Sequence, residues 1–383
     1  VQLEPREYQD GVYIGMDFET YRQIPAVNQS LLKVCGEVSP KHAFALMAGA
    51  MEYDSNTLRL GRAEHAYIIE GAEEFAKRHP IAQQCNATIQ TGKNKGQRCK
   101  NTSTHRVKDI WFCGQHKGEF ATEVPEAISQ YDYRRIQAMG ESVRQHEINV
   151  HLHRKGWSEV TILYTLDIEC KLHRCPKCEA IAWPKPFVRL NELDRKCMEC
   201  GETFTATSPE THTIPQQHKI RIDRLGRPTE RMPNYVTCDL KRMPVMKGDR
   251  DTREKTIANY GWDVQAYMYT EGVRIAFERG LPVFNERGYE VDAFAEPFDD
   301  VVPFIWIFVE EKPPHDVTWF PADMDTLLIG QSKANRYRET WAKCMTTQQW
   351  PGRCVGVQEP GGLPAWHKRQ YERDFADDNG AYA

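Results

Sequence analysis

The chain has 383 residues, of which 40% are hydrophobic and 27% charged, and a formal net charge of −4. This is ordinary globular composition, with room for one large domain carrying insertions or for two domains; it excludes nucleic-acid binding by bulk positive charge but not by a locally basic channel. No run approaches the ~18 apolar residues of a membrane span, and the opening Val1-Gln2-Leu3-Glu4-Pro5-Arg6-Glu7 lacks the basic and apolar regions of a secretory signal, so a cytoplasmic setting is expected.

In chain order, the first eighty residues read as helical. Asn28 or Ser30 caps a helix through Leu31-Leu32-Lys33-Val34, and Ser39-Pro40 supplies the N-cap and first turn of a second. A third runs from about Thr57 to Ile69 and stops at Gly71. Residues 81–120 lose apolar periodicity and become rich in Cys, Gly, Asn and Lys. A helix is expected at 124–139, then a strand pair at 157–163 and 165–172, a second Cys-rich island at 174–204, and strands at 218–224 and 235–241. A long helix is expected from about 252 to 279, ending at Gly280. Phe304-Ile305-Trp306-Ile307-Phe308-Val309 suits a strand buried on both faces, and a further helix lies near 323–344.

This order predicts an α/β fold with a mixed central sheet flanked by helices and two small insertions. The expected parts are a helical region at 1–80, an insertion at 81–120, core at 121–173, a second insertion at 174–204, core at 205–372 and a disordered acidic tail at 373–383.

The chemistry-bearing residues sit on these elements. Asp223 ends the run Lys219-Ile220-Arg221-Ile222, and Asp239-Leu240-Lys241 lies on the next strand. Alternation puts Asp239 and Lys241 on one face and Leu240 in the core. If the two strands pair, one divalent cation can bridge both carboxylates, and oxygen ligands suit Mg²⁺ or Mn²⁺. An exposed ion pair is the plainer reading of Asp-x-Lys alone. Gly61 and His65 share a helix face; the glycine admits close backbone approach and lets His65 reach a metal, the plainer reading being a partly buried histidine bonded to a carbonyl. Gln265 and Tyr269 share a face of the long helix and suit a place beside a phosphate, the plainer reading being a helix packed by its aromatics with Gln265 exposed.

Seven of the twelve cysteines fall in the two islands. Cys175, Cys178, Cys197 and Cys200 form C-x2-C…C-x2-C, the pattern of a structural zinc ribbon, with Cys170 and His173 as rival ligands. Such a ribbon draws its folding energy from the metal. It lies just upstream of Asp223, so the strand carrying Asp223 is expected to depend on it. Cys85, Cys99, Cys113 and His116 form a second, Cys₃His set, with His105 as rival. Around it Lys93, Lys95, Arg98 and Lys100 are candidates to contact DNA phosphates, a solvated face being the alternative.

Taken in order, Gly61-x-x-x-His65, Asp223, Asp239-x-Lys241 and Gln265-x-x-x-Tyr269 resemble the RecB-like branch of the PD-(D/E)XK nucleases, and within it the exonuclease VIII (RecE-like) domain. Ser30-Leu31-Leu32, Ser39-Pro40-Lys41-His42, Val309-Glu310-Glu311-Lys312-Pro313-Pro314-His315, Trp350-Pro351-Gly352 and Leu363-Pro364-Ala365-Trp366 are similar to further segments of that family. The resemblance implies a restriction-endonuclease-like core and a Mg²⁺- or Mn²⁺-dependent exonuclease that digests linear duplex DNA 5′→3′. His65, Asp223 and Asp239 would ligate the metal with the Leu240 carbonyl, and Lys241, Gln265 and Tyr269 would complete the catalytic set. Glu159 is a weaker candidate ligand. The second acid is Asp where the family often has Glu. The resemblance further implies a single-strand-annealing recombination partner, a ring-shaped homo-oligomer and a phage or prophage origin in a bacterial cell. Cys344 and Cys354 do not supply the three late cysteines that hold a [4Fe–4S] cluster in some relatives. An endonuclease of the same fold and a non-catalytic zinc-bearing DNA-binding protein are the alternatives.

Overall fold

The computed structural model describes residues 8–50, 56–152, 155–179, 181–182, 187–189, 194–197, 199–205, 209–228, 230, 234–244, 250–285, 287–293 and 302–352. The expected tail, Cys354 and the Leu363-Pro364-Ala365-Trp366 segment lie outside them.

Eight strands make the main path of a mixed sheet: β1 (Gly11–Tyr13), β2 (Gly156–Arg174), β3 (Glu210–Gly226), β4 (Val236–Met243), β5 (Pro282–Phe284), β6 (Glu290–Ala293), β7 (Phe304–Glu310) and β8 (Val317–Pro321). Their spatial order is β6-β5-β1-β2-β3-β4-β7-β8. The pairs β1/β5 and β4/β7 are parallel and the others antiparallel. β7 is buried at every position, as its unbroken apolar run requires.

Helices cover both faces. On one side α2 (Gln29–Lys33), α9 (Trp262–Glu278) and α10 (Met324–Thr347) pack on Val160, Ile162, Ile220, Ile222, Trp306 and Phe308. On the other, α4 (Asn56–His65) and α6 (Gln130–Gln145) close over Val236, Cys238, Leu240, Ile305 and Ile307. Asn28 caps α2, and Ser39 caps α3 (Pro40–Met47) with Pro40 in its first turn, as the sequence predicts. α1 (Phe18–Gln23), α5 (Ala72–Arg78) and α7 (Asn149–Leu152) are short. α4 continues into a π turn, Ala66–Glu70, that ends at Gly71.

Three expectations change. The pair at 157–163 and 165–172 is one 19-residue strand, β2, because Tyr164-Thr165 offers no turn chemistry and Tyr164 pairs with His218 instead. The helix placed at 124–139 starts only at Gln130; Pro125 precedes it and Ser129 supplies its cap. The long helix at 252–279 is two: α8 (Arg250–Tyr260) and α9 meet at Gly261, whose φ of +59° breaks the spiral.

The insertions branch from defined points. Ile81–Ala82 pairs in parallel with Ile128–Ser129, closing the neck of the first. β2 and β3 pair from Gly156–Gly226 to Leu172–Glu210, and the second insertion hangs from the far end of that arm. Thirteen residues of strand separate Glu210 from Asp223, roughly 40 Å at ~3.3 Å per residue. Any effect of the ribbon on Asp223 therefore travels through the arm, not by contact.

α9 and α10 are joined by a buried ion pair. Arg338 is 1% exposed; its Nη1 lies 3.1 Å from Glu271 Oε1, and its Nη2 also bonds Glu271 Oε2. Tyr164 Oη donates to Glu271 Oε2 at 3.2 Å. Removing one partner strands a buried charge, which costs about 3–5 kcal/mol, whereas replacing both with apolar groups costs less. Glu271→Leu is expected to lose roughly that much in urea unfolding, and Glu271→Leu with Arg338→Leu to recover part of it.

Candidate metal and catalytic site

The site forms where β3 and β4 part. Their register runs Gly226–Val236, Leu225–Thr237 and Arg224–Cys238. The next rung would pair Asp223 with Asp239. No backbone pairing occurs there; the Asp223 carboxylate instead accepts the Leu240 N–H through Oδ2 at 2.9 Å. The side chain satisfies the donor that the ladder leaves open. Two carboxylates thus face each other at a gap in the sheet.

His65, at the end of α4, completes the gap. Its Nδ1 is 3.4 Å from Asp223 Oδ2 and its Nε2 is 2.9 Å from the Leu240 carbonyl oxygen. The carbonyl contact, the plainer of the two readings from the sequence, is present, and the ring also stands beside a carboxylate. Burial lowers the ring's pKa, but Asp223, Glu159 and Asp239 outweigh burial and raise it. Burial, with Asp239 and Glu159, pushes the Asp223 carboxyl up to about 7 despite His65 and Lys241.

Glu159 is better placed than its sequence standing. Ligand atoms of His65, Glu159 and Asp223 all lie within 4.8 Å of one another. Glu159 has φ +51° inside a strand, a left-handed conformation that costs a bulky residue about 1–3 kcal/mol and collects at functional positions. Arg221 Nε holds its Oε2 at 2.7 Å, and Arg221 Nη1 donates to the Met16 carbonyl at 2.7 Å. Asp239 stands outside that trio. It is 1% exposed, with Oδ2 2.7 Å from Lys241 Nζ and Oδ1 accepting from Gln265 Nε2 at 2.7 Å. Leu240 points into the core beneath α4 and α6, as strand alternation requires. Tyr269 is buried near both aspartates; burial and their charges hold its hydroxyl well above the usual range.

One expectation fails. Gly61 admits no close backbone: a Cβ there would meet nothing within 4 Å among the described residues. The sequence reading also missed a clamp. Glu64, 2% exposed, lies 3.2 Å from Arg242 Nη1 on β4 and 3.8 Å from Arg135 Nη2 on α6. Arg135 Nη1 reaches Glu311 at 2.8 Å. This buried network fixes α4 against β4 and so sets His65. The adjacent Glu64-His65 and Lys241-Arg242 pairs were the available signal.

The donor set of imidazole, carboxylates and one carbonyl fits a hard divalent cation. The cysteine clusters present softer sets. Cys175 Sγ lies 3.7 Å from Cys200 Sγ, and Cys178 Sγ 3.6 Å from Cys197 Sγ. A tetrahedral ion at about 2.3 Å from each sulfur separates them by about 3.8 Å. In the first island His116 Nδ1 is 3.3 Å from Cys113 Sγ and 3.7 Å from Cys85 Sγ, with Cys99 and Cys113 4.0 Å apart. Burial raises Cys113, but backbone N–H groups of Gln115 and His116 outweigh it and bring the thiol down to about 6. Both clusters could hold zinc. The rivals lie elsewhere: His105 contacts Thr104 and Lys117, and Cys170 packs on Ala342. His173 pairs with Ala182 on the arm, outside the cluster.

The first island docks on the helix carrying His65. Arg59 Nη1 donates to the Pro125 carbonyl at 2.9 Å, and Arg62 pairs with Glu126 at 2.6 Å. Lys93, Lys95 and Lys100 are exposed. Arg98 donates to the carbonyls of Cys85 and Gln84 at 3.0 and 2.9 Å, so part of its hydrogen-bonding capacity serves the island's own fold.

No protein-family model and no curated protein sequence matches the chain. Among solved structures it is similar to the crystal structure of a "Putative exonuclease" from Eubacterium rectale, at 12% identity over 94% of this chain and 97% of that one, with a TM-score of 0.45. A likeness this distant says nothing about the chemistry, which rests on the site's own geometry. No helix among the described residues is long and apolar enough to cross a membrane.

Two outcomes follow. A divalent cation must displace protons from His65 and Asp223, so Mn²⁺ binding should release protons and weaken as pH falls below about 7; calorimetry in buffers of different ionisation enthalpy reads this directly. Elemental analysis should find two zinc equivalents per chain, and one after either Cys113→Ser or Cys197→Ser.

Proposed function

We propose that this chain is a metal-dependent DNA nuclease with a PD-(D/E)XK-type site, acting as an exonuclease on linear duplex DNA. The observation that carries the reading is the gap between β3 and β4. It sets His65, Glu159 and Asp223 around one point, with the Asp239–Lys241 pair beside them on the adjoining strand. A structural ion-pair cluster has no need of a left-handed strand glutamate, a histidine and a lysine converging at an unpaired rung.

In this reading His65, Asp223, Glu159 and the Leu240 carbonyl hold Mg²⁺ or Mn²⁺, with Asp239 as a further ligand. When bound, the ion supplies Lewis acidity to the phosphate oxygens and to water. The chain's own groups do the rest. Lys241 orients the attacking water with its ammonium and offsets charge as the phosphate becomes five-coordinate. Gln265 acts through Asp239: its N–H fixes one carboxylate oxygen and leaves the other facing Lys241. Tyr269, kept neutral by burial, donates its hydroxyl toward the same carboxylates or a phosphate. Lys93, Lys95 and Lys100 extend the phosphate contacts along the duplex. By resemblance the polarity is 5′→3′, leaving 3′ single strands for an annealing partner, with a ring-shaped homo-oligomer as the assembly.

End-labelled linear duplex should be degraded in Mg²⁺ or Mn²⁺, and Lys241→Ala should slow this by at least ~100-fold; equal rates in both proteins would sink the assignment. Covalently closed circular duplex should survive, and its cleavage would move the reading to an endonuclease. Replacing Lys93, Lys95 and Lys100 together should weaken duplex binding and lower the salt slope by about 0.9 per lost contact. An unchanged slope would leave the island with a structural role only.

A further inference from the structure

Beside Lys241 lies an aromatic stack that the catalytic reading does not use. Tyr260 ends α8 and Trp262 begins α9, with ring centroids 5.0 Å apart and planes within 16°. Residues two apart in a continuous helix point about 200° apart and cannot stack. The left-handed Gly261 between them, φ +59°, breaks the spiral and allows it. Trp262 is the fixed inner plate. Its ring packs on Phe308 of β7 at 5.8 Å, and Lys241 Nζ sits 5.2 Å from its centroid. Tyr260 is the outer plate and is 59% exposed.

The backbone at the break is held from below. Lys33 Nζ donates to the Tyr260 carbonyl, and a Cβ at Gly261 would come within 2.6 Å of the Lys33 side chain. Asp263, next along, pairs with Lys333 of α10 at 2.6 Å. Lys241 and Lys333 each lie close enough to Lys33 to disfavour its charge, after burial. The stack thus stands among three lysines from three elements, offset in part by Asp263 and Glu37.

An exposed ring braced against a second ring, with ammonium groups around it, is the arrangement that binds an unpaired nucleobase and its phosphates. We propose that Tyr260, backed by Trp262, is a stacking platform for a nucleobase flanking the phosphate held at Lys241. The subsite takes any base, because every base presents a π-face, and it favours a strand whose end is unpaired. The inference rests on the nuclease reading for its substrate class.

The test uses the full-length protein and oligonucleotides carrying 2-aminopurine, placed in turn on either side of the cleaved position. Binding is read in the Asp223→Asn background, where cleavage is blocked. One of the two probes should be quenched on binding. Tyr260→Ala should abolish the quench and weaken binding about 5- to 150-fold, the equivalent of ~1–3 kcal/mol, while Tyr260→Trp keeps it. In the otherwise native protein Tyr260→Ala should raise KM with kcat largely retained. A substrate abasic at the quenched position should bind the unmodified protein as weakly as Tyr260→Ala binds the intact substrate, with no further loss when the two are combined. Equal quenching, or additive losses, would overturn the platform. If the native protein cuts no polynucleotide while the Tyr260-dependent quench persists, the nuclease reading fails and the subsite stands. Cleavage that is indifferent to Tyr260 and to the abasic position leaves the reading and removes the subsite.

Discussion

The molecule depends on one hydrogen bond that replaces a rung of the sheet. Where β3 and β4 would pair at Asp223 and Asp239, the Asp223 carboxylate takes the Leu240 N–H at 2.9 Å. This spares the backbone donor the cost of burial without a partner, so the strands can part inside a packed core. Because the donor belongs to Leu240, the bond also aims that residue's carbonyl at His65. Removing the carboxylate therefore does two things: it deletes an acid and it leaves a buried N–H unpaired. Asp223→Asn keeps a carbonyl oxygen for the N–H and is the variant that separates these effects.

The rest of the fold serves that gap from both sides. The Glu64–Arg242 and Glu64–Arg135 contacts hold α4 to the sheet at the level of His65. On the opposite face α9 brings Gln265 to Asp239, and α10 secures α9 through Arg338 and Glu271. The site gathers three acids, a histidine and a lysine. Burial, with Asp239 and Glu159, makes Asp223 hold its proton more firmly against the pull of His65 and Lys241, and the acids Asp223, Glu159 and Asp239 do the same for His65 against burial and Lys241.

Much of this was legible in the sequence, for physical reasons. The apolar run of β7, the Ser39-Pro40 cap and the alternation around Asp239-Leu240-Lys241 each have one comfortable solution, and each is found. The cysteine spacing was equally informative, because two C-x2-C knuckles leave little choice of partners. What could not be read depended on distant contacts. The absence of turn residues at Tyr164-Thr165 was the one local sign of a continuous strand, and the partner strand that settles it lies beyond an insertion. Glu159 stood only as a weaker candidate ligand, since strand alternation alone cannot say that a residue with φ +51° turns back toward the site. Gly61 shows the opposite error: a glycine in a helix invited a close-approach explanation, and nothing approaches. The break at Gly261 was hidden by good helical pattern on both sides.

The nuclease reading requires that a divalent cation bind in the gap between β3 and β4. Anomalous diffraction from Mn²⁺-soaked crystals tests it without reference to any substrate. The account predicts one strong peak at coordination distance, about 2.1 Å, from the Asp223 carboxylate and the Leu240 carbonyl, with His65 and either Glu159 or Asp239 completing the shell, and its loss in Asp223→Asn. A peak confined to the cysteine clusters, or none between the two strands at neutral pH and millimolar metal, would contradict it.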